Sequence, residues 1–405
     1  MYYFYSLSYF QYAGYLPNSN RMQPAKFRAI ILLIIALSCI RVSECQARVT
    51  IIPNVLLNLQ TNYDSNFYYL SSNEKSVVTR LVEPGFEVGV ETAKALIAAR
   101  YTLSANYYDE AGEDDFYGHQ GLLLGEVELT DRTKFDIKNR FIYTQDPGQL
   151  DPIGTPASRE KYFQNRFRMA LSYYFEPKFT VEVGYQNWIT DYDKHELEDA
   201  KGNQGSIDLI YHLNRSSALD IEYQYWSMNY DGVTPDYNSH LLWFKYRKEW
   251  RLVALEAGVG YHKRSYDESG LSDSTTTIYN LILDGASRSG KSRYSLSGQQ
   301  NYNYLGFHSN DYYKAYRFTG KYDYDWTVRI TSGLEASYQN NDYINSQRED
   351  DIRKVAGDVG YLFKEWLEFV FSLSYEERDS NTTSRDYDRY IALFELQFDY
   401  DVGNR

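Results

Sequence analysis

Outside its N-terminus the chain has no long hydrophobic run, and it is poor in proline, nearly free of cysteine and without any surplus of positive charge. Each shortage excludes something. The longest apolar stretch, Ala29 to Ile40, is about twelve residues, short of the roughly twenty that a membrane-spanning helix needs. Both cysteines, Cys39 and Cys45, fall in a segment expected to be removed, which leaves no thiol, disulfide or thiolate metal site. A net charge of −13 argues against nucleic acid as a partner, because phosphate backbones are bound by basic surfaces. The six histidines, His119, His195, His212, His240, His262 and His308, show no metal-ligand spacing, and no glycine-rich phosphate loop is present. Ser239-His240 and His308-Ser309 set a hydroxyl beside an imidazole in sequence only; a working nucleophile and base also need hydrogen-bond geometry and an orienting third group. No cofactor, metal or catalytic residue is therefore expected.

The N-terminus reads as targeting. Lys26 and Arg28 form a basic region, Ala29 to Ile40 an apolar core, and Ala47 offers a small residue for cleavage. Residues 22–47 are thus predicted to be a secretory signal peptide, residues 1–21 an upstream extension preceding the initiator Met22, and residues 48–405 the mature protein.

Tyrosine and alternation are what the chain has in excess. From about residue 49 to residue 400, apolar or aromatic residues alternate with polar ones in segments of about ten, the pattern of a transmembrane β-barrel. In the last segment Tyr390, Ala392, Phe394, Leu396, Phe398 and Tyr400 share one face, and Glu395, Gln397 and Asp399 the other. Forty-three tyrosines, in a chain that is 17% aromatic, suit rings placed where lipid meets water. The mean hydropathy of −0.58 does not conflict with this, since a barrel keeps its apolar band in every second residue.

Turn spacing gives the strand number. Short turns are predicted near Ala93-Lys94, Asp131-Arg132, Glu176-Pro177, Arg215-Ser216, Glu249-Trp250, Ser287 to Gly290, Asp325-Trp326 and Lys364-Glu365, with longer polar loops between them. With a further loop at Ser71 to Ser76 this predicts an all-β, antiparallel up-and-down barrel of about 18 strands, or 16 if one weak pair fails. Barrels of that size enclose a water-filled channel unless something plugs it. The loop Asp146 to Ser158, with Pro147, Pro152 and Pro156, is the candidate constriction.

Parity assigns the pore wall. With Phe135, Ile137, Phe141 and Tyr143 outward, Lys134, Asp136, Lys138 and Arg140 point inward; with Phe163, Phe167, Met169 and Leu171 outward, Arg166 and Arg168 join them. Lys134, Lys138, Arg140, Arg166 and Arg168 form a candidate sector for guiding anionic solutes, or else a structural ladder closed by Glu126, Glu128 and Glu182. Further inward charges are expected at Lys245, Arg247, Arg317, Lys321 and Arg329, set against Asp220, Glu222, Glu256, Asp323, Glu335 and Glu368. Trp188, Trp226 and Trp243 are candidates for stacking on sugar rings, or else members of an interfacial girdle or packing within the lumen.

Asn62-Tyr63-Asp64-Ser65-Asn66-Phe67-Tyr68, then Val77 to Leu81, then Glu83-Pro84-Gly85-Phe86, resembles the opening of the beta-barrel porin type 2 family of outer-membrane proteins. The resemblance covers about residues 60–90. It implies an outer-membrane location in a Gram-negative bacterium and, since such proteins often accompany exopolysaccharide synthesis, a conduit for polysaccharide working with a periplasmic export partner. By analogy with alginate-export barrels, the basic sector would then face an acidic polymer. A general diffusion porin for small hydrophilic solutes, or a structural or adhesive barrel, are the alternatives. Lipid of the outer membrane is the surrounding partner in every case.

Overall fold

In a computed structural model the chain is described over residues 49–109, 115–145, 160–176, 178–194, 198–232, 234–267, 273–304, 312–343 and 347–403. The predicted extension, the signal peptide and the proline-bearing loop 146–158 lie outside the described residues.

The first nine strands are β1 (Thr50–Asp64), β2 (Val77–Glu91), β3 (Ala95–Tyr108), β4 (Phe116–Thr130), β5 (Thr133–Thr144), β6 (Tyr162–Glu176), β7 (Phe179–Tyr192), β8 (Ala200–Asn214) and β9 (Ser217–Tyr230). The second nine are β10 (Tyr237–Glu249), β11 (Val253–Tyr266), β12 (Ser274–Ala286), β13 (Ser292–Tyr304), β14 (Tyr312–Asp325), β15 (Ile330–Tyr343), β16 (Glu349–Lys364), β17 (Leu367–Ser380) and β18 (Tyr387–Asp401). Each pairs antiparallel with the next, and β1 pairs with both β2 and β18, so the 18-stranded sheet closes on itself. Leu59 marks the seam, opposite Val82 on one side and Leu396 on the other. All eight predicted short turns fall at or beside the short connections of this barrel, and strand and loop alternate as the sequence requires.

Burial is inverted relative to a globular protein. Polar side chains such as Asp220, Ser239, Asp350, Arg378 and Glu395 are buried, whereas Val55, Val183, Val259, Leu334 and Leu373 on the opposite parity are about half exposed. The reason is the strand period of two: one face looks into the lumen and its neighbours look out, and only the outward face suits lipid. Rings flank the outward belt. Tyr63, Tyr107, Tyr117 and Tyr390 stand toward the long-loop end, and Trp250, Trp326 and Trp366 at the short-turn end.

The interruption of pairing between β2 and β3 has a local cause. The β2–β3 register passes from Val82↔Ala105 to Gly85↔Thr102, skipping Glu83 and Pro84, because proline has no N–H for the ladder. Gly85 follows because a side chain there would stand 2.5 Å from the Thr102 methyl and 2.9 Å from the Tyr101 carbonyl. The sequence expectation fails at Arg329: it sits in the turn between β14 and β15, not on the lumenal wall, because β15 begins one residue later.

The outward parity predicts that Val259→Arg, at mid-strand on the exposed face of β11, costs about 2 to 4 kcal/mol of folding stability in bilayers. Denaturant titration of the protein refolded in lipid vesicles measures it, with inward Asn280→Arg as the tolerated comparison.

Candidate functional site

Antiparallel register arranges the lumenal wall into rows that run across the strands. One row is Arg140–Arg166–Trp188–Gly202–Met228–Tyr237, from β5 to β10. The next, one inward position along, is Lys138–Arg168–Gln186–Gln204–Trp226–Ser239. All five predicted basic residues are therefore lumenal, on β5 and β6. Two pairs of like charge, Lys138 opposite Arg168 and Arg140 opposite Arg166, stand directly across from one another. Such pairs disfavour the sheet by roughly 0.2 to 1 kcal/mol each.

Lys134 lies near the short-turn end, its Nζ 3.0 Å from Glu126 Oε2 and 2.9 Å from Asp136 Oδ1, in a carboxylate ladder. Arg168 reaches Glu182 Oε1 at 3.4 Å while its side chain keeps 61% of its surface exposed to the lumen. Farther around the wall the charge is mixed: Lys245 Nζ donates to Glu222 Oε2 at 2.6 Å and lies 4.0 Å from Asp208 Oδ2, and Arg247 pairs with Asp220 at 2.5 Å.

The three candidate tryptophans all face the lumen, none in the girdle, and each indole has a flat seat. Gly202 lies under Trp188, where an added Cβ would stand 2.7 Å from the ring and 2.3 Å from Met228 Sδ. Trp243 covers two successive inward glycines, Gly258 and Gly260; an added Cβ would meet its ring at 3.3 Å and 3.0 Å. Trp226, opposite the small Ser239, stacks on His262 with ring centres 5.0 Å apart and planes at 28°. These in-strand glycines thus let rings lie against bare backbone. The rings are half-buried, with one face on the wall. On the same stretch of wall, Gln204 Nε2 donates to Gln224 Oε1 at 2.7 Å, and Gln224 Nε2 to Glu222 Oε1 at 2.6 Å.

Sequence reasoning missed the outer mouth. There the Tyr63-Asp64-Ser65-Asn66 stretch fastens the β1–β2 connection to the inner wall. Asp64 Oδ1 accepts the Asn66 N–H at 3.0 Å and Asp64 Oδ2 pairs with Arg389 at 3.4 Å. Asn66, fully buried, donates to the carbonyls of Leu70 and Asp388 and accepts the Leu70 N–H. Phe67 meets Tyr108, and Tyr69, in left-handed backbone at φ 57°, is held edge-on to Tyr387 beneath the Arg389 guanidinium. The signal was the motif itself, whose aspartate and asparagine favour local side-chain to backbone bonds.

Ser239 and His240 occupy opposite faces. Ser239 is buried toward the lumen, while His240 points outward against the Tyr223 hydroxyl at 2.8 Å. His195 and His308 lie outside the described residues.

A closed antiparallel cylinder of eighteen strands with an oily exterior and a charged, hydrated interior defines a porin-type outer-membrane β-barrel. The family model "Putative beta-barrel porin 2" matches residues 251–400, the stretch from β11 to β18, rather than the residues on which the opening motif lies. Solved porins share the fold. Pseudomonas aeruginosa OpdK, crystallised with vanillate, aligns at TM-score 0.50 and 11% identity over 86% of this chain and 99% of that one. P. aeruginosa OccK2 (OpdF) in complex with glucuronate aligns at 0.50 and 10% over 86% and 98%, and OccK9 (OpdG) of the same organism at 0.52 and 10% over 86% and 98%. At these identities the likeness is one of fold. No curated protein matches the sequence.

Asn66→Ala leaves the Leu70 amide and two carbonyls without this partner, a local loss of about 2 to 3 kcal/mol. Limited proteolysis of the vesicle-inserted protein is expected to cut within residues 65–76 at least tenfold faster than in the parent, with the strands protected.

Proposed function

We propose that this chain, after removal of its signal peptide, is a channel in the outer membrane of a Gram-negative bacterium that passes acidic carbohydrate, and that its most concrete role is as a conduit for exopolysaccharide secretion. The carrying observation is the twofold like-charge pairing of Lys138 with Arg168 and Arg140 with Arg166, one strand away from Trp188. Cations focused in a narrow low-dielectric passage raise the local concentration of anions, and flat rings beside them suit sugar faces. Two fold neighbours support the chemistry by analogy, since glucuronate, with OccK2, and vanillate, with OpdK, are both carboxylates. The exporter reading includes a periplasmic partner at the short-turn end.

A general diffusion porin for small solutes is the second reading, favoured by the mixed charge around Lys245, Arg247, Asp220 and Glu222. The two differ at rest. A porin conducts steadily in planar bilayers, whereas an exporter conducts poorly until polymer or partner engages it, and its deletion abolishes surface polysaccharide.

Both readings predict anion preference, and the double variant Lys138→Glu with Arg166→Glu is expected to turn it into cation preference. Reversal potentials under a salt gradient measure the change, and an unaltered selectivity would remove the basic sector from the mechanism. Raising ionic strength toward 1 M, where the screening length shrinks to about 3 Å, is expected to flatten the preference in the parent protein.

A further inference from the structure

We infer that the lumenal wall from β6 to β10 contains a saccharide-binding station that takes an acidic sugar residue ring-down on Trp226, with its carboxylate turned to Arg168; this deepens the reading of the lumen as the transport path. A pocket of about 110 Å³ lies beside Trp226 rather than under it, with Arg168, Gln186, Gln204, Ser206, Glu222 and Gln224 among its lining residues, and the sugar would take the ring face of Trp226 that is not stacked on His262. Register explains the grouping. Arg168, Gln186, Gln204 and Trp226 are consecutive members of one row, and Ser206 and Gln224 face each other in the next row toward the short-turn end.

The chemistry is that of a sugar with a charge. An apolar guest would strand Arg168 and Glu222 without water, and a bare inorganic anion has no use for indole faces. A pyranose offers what the wall asks for: C–H bonds for the half-covered Trp226, hydroxyls for the amides, and a carboxylate for the guanidinium. The bonds from Gln204 to Gln224 and from Gln224 to Glu222, with Lys245 on the same carboxylate, fix the amide orientations before a guest arrives. Trp188 and Trp243 flank Trp226 toward the outer and inner ends of the wall, so a chain leaving one ring meets another.

The test uses the purified mature barrel with two probes of equal length, an oligomer of glucuronate residues and a neutral oligomer of glucose. Tryptophan fluorescence in detergent reads binding, and interruptions of single-channel current in bilayers read residence time. The uronate oligomer is expected to quench fluorescence and to interrupt current for longer than the neutral one. Trp226→Ala is expected to shorten residence about tenfold for both probes, Trp226→Phe to restore most of it, and Arg168→Gln to shorten it for the uronate alone. Trp326→Ala, in the turn at the short-turn end, is the control that leaves residence unchanged, and heat-shifted gel mobility certifies that each variant is folded. Residence unaffected by Trp226→Ala, or equal for acidic and neutral probes, overturns the station. Absence of any current removes the channel reading instead, and the fluorescence arm then still decides whether the station binds.

Discussion

No peptide group can stay unpaired inside hydrocarbon, and that requirement governs everything else in this molecule. A sheet satisfies it laterally, but only if its two edges find each other, so eighteen strands must form a ring. Once the ring exists, the strand period of two leaves each residue a choice between lipid and lumen. Val259 and Leu334 face outward for the same geometric reason that Asp220 and Glu395 face inward. The pore chemistry is a by-product of the packing rule, and its specificity lies in which polar residue occupies each inward position.

That is also why so much was legible in the sequence. Alternation is local, and short turns recur at regular spacing, so strand number, turn positions and the facing of Lys138, Arg140, Arg166 and Arg168 followed from parity. Parity says which face a residue takes, but it does not say which residue stands opposite. The opposition of Lys138 to Arg168 depends on the cross-strand offset, set jointly by turn length and barrel shear, and no single strand encodes it. Lys134 was open to both readings, guide and ladder, and parity alone does not name the carboxylates of Glu126 and Asp136 that stand within 3.0 Å of it. Arg329 shows another limit, because parity has no meaning beyond the last paired residue.

The tryptophans illustrate a subtler gap. Six occur in the chain, and composition alone favours the interface for all of them. Trp250, Trp326 and Trp366 do lie at turns, whereas Trp188, Trp226 and Trp243 lie inside. What separates the groups is the partner strand: Gly202 opposite Trp188, Gly260 opposite Trp243 and Ser239 opposite Trp226 leave room for an indole to lie flat. Likewise the Asp64 and Asn66 motif resembled a family opening long before its work was visible. That work is to tie the first connection to Asp388 and Arg389, more than three hundred residues away in the chain.

The join between first and last strand has a kinetic consequence. Seventeen of the eighteen pairings link strands adjacent in the chain and can zip as hairpins, while the remaining one, marked by Gln60 donating to Glu395 across 335 residues, must wait for both chain ends. The length-dependent entropy of that single closure is about 5 kcal/mol, against about 2 kcal/mol for a ten-residue loop. Until it happens the growing sheet carries two raw borders, each a template for a neighbouring copy. The meeting of β1 with β18 is thus the single event that removes both borders at once.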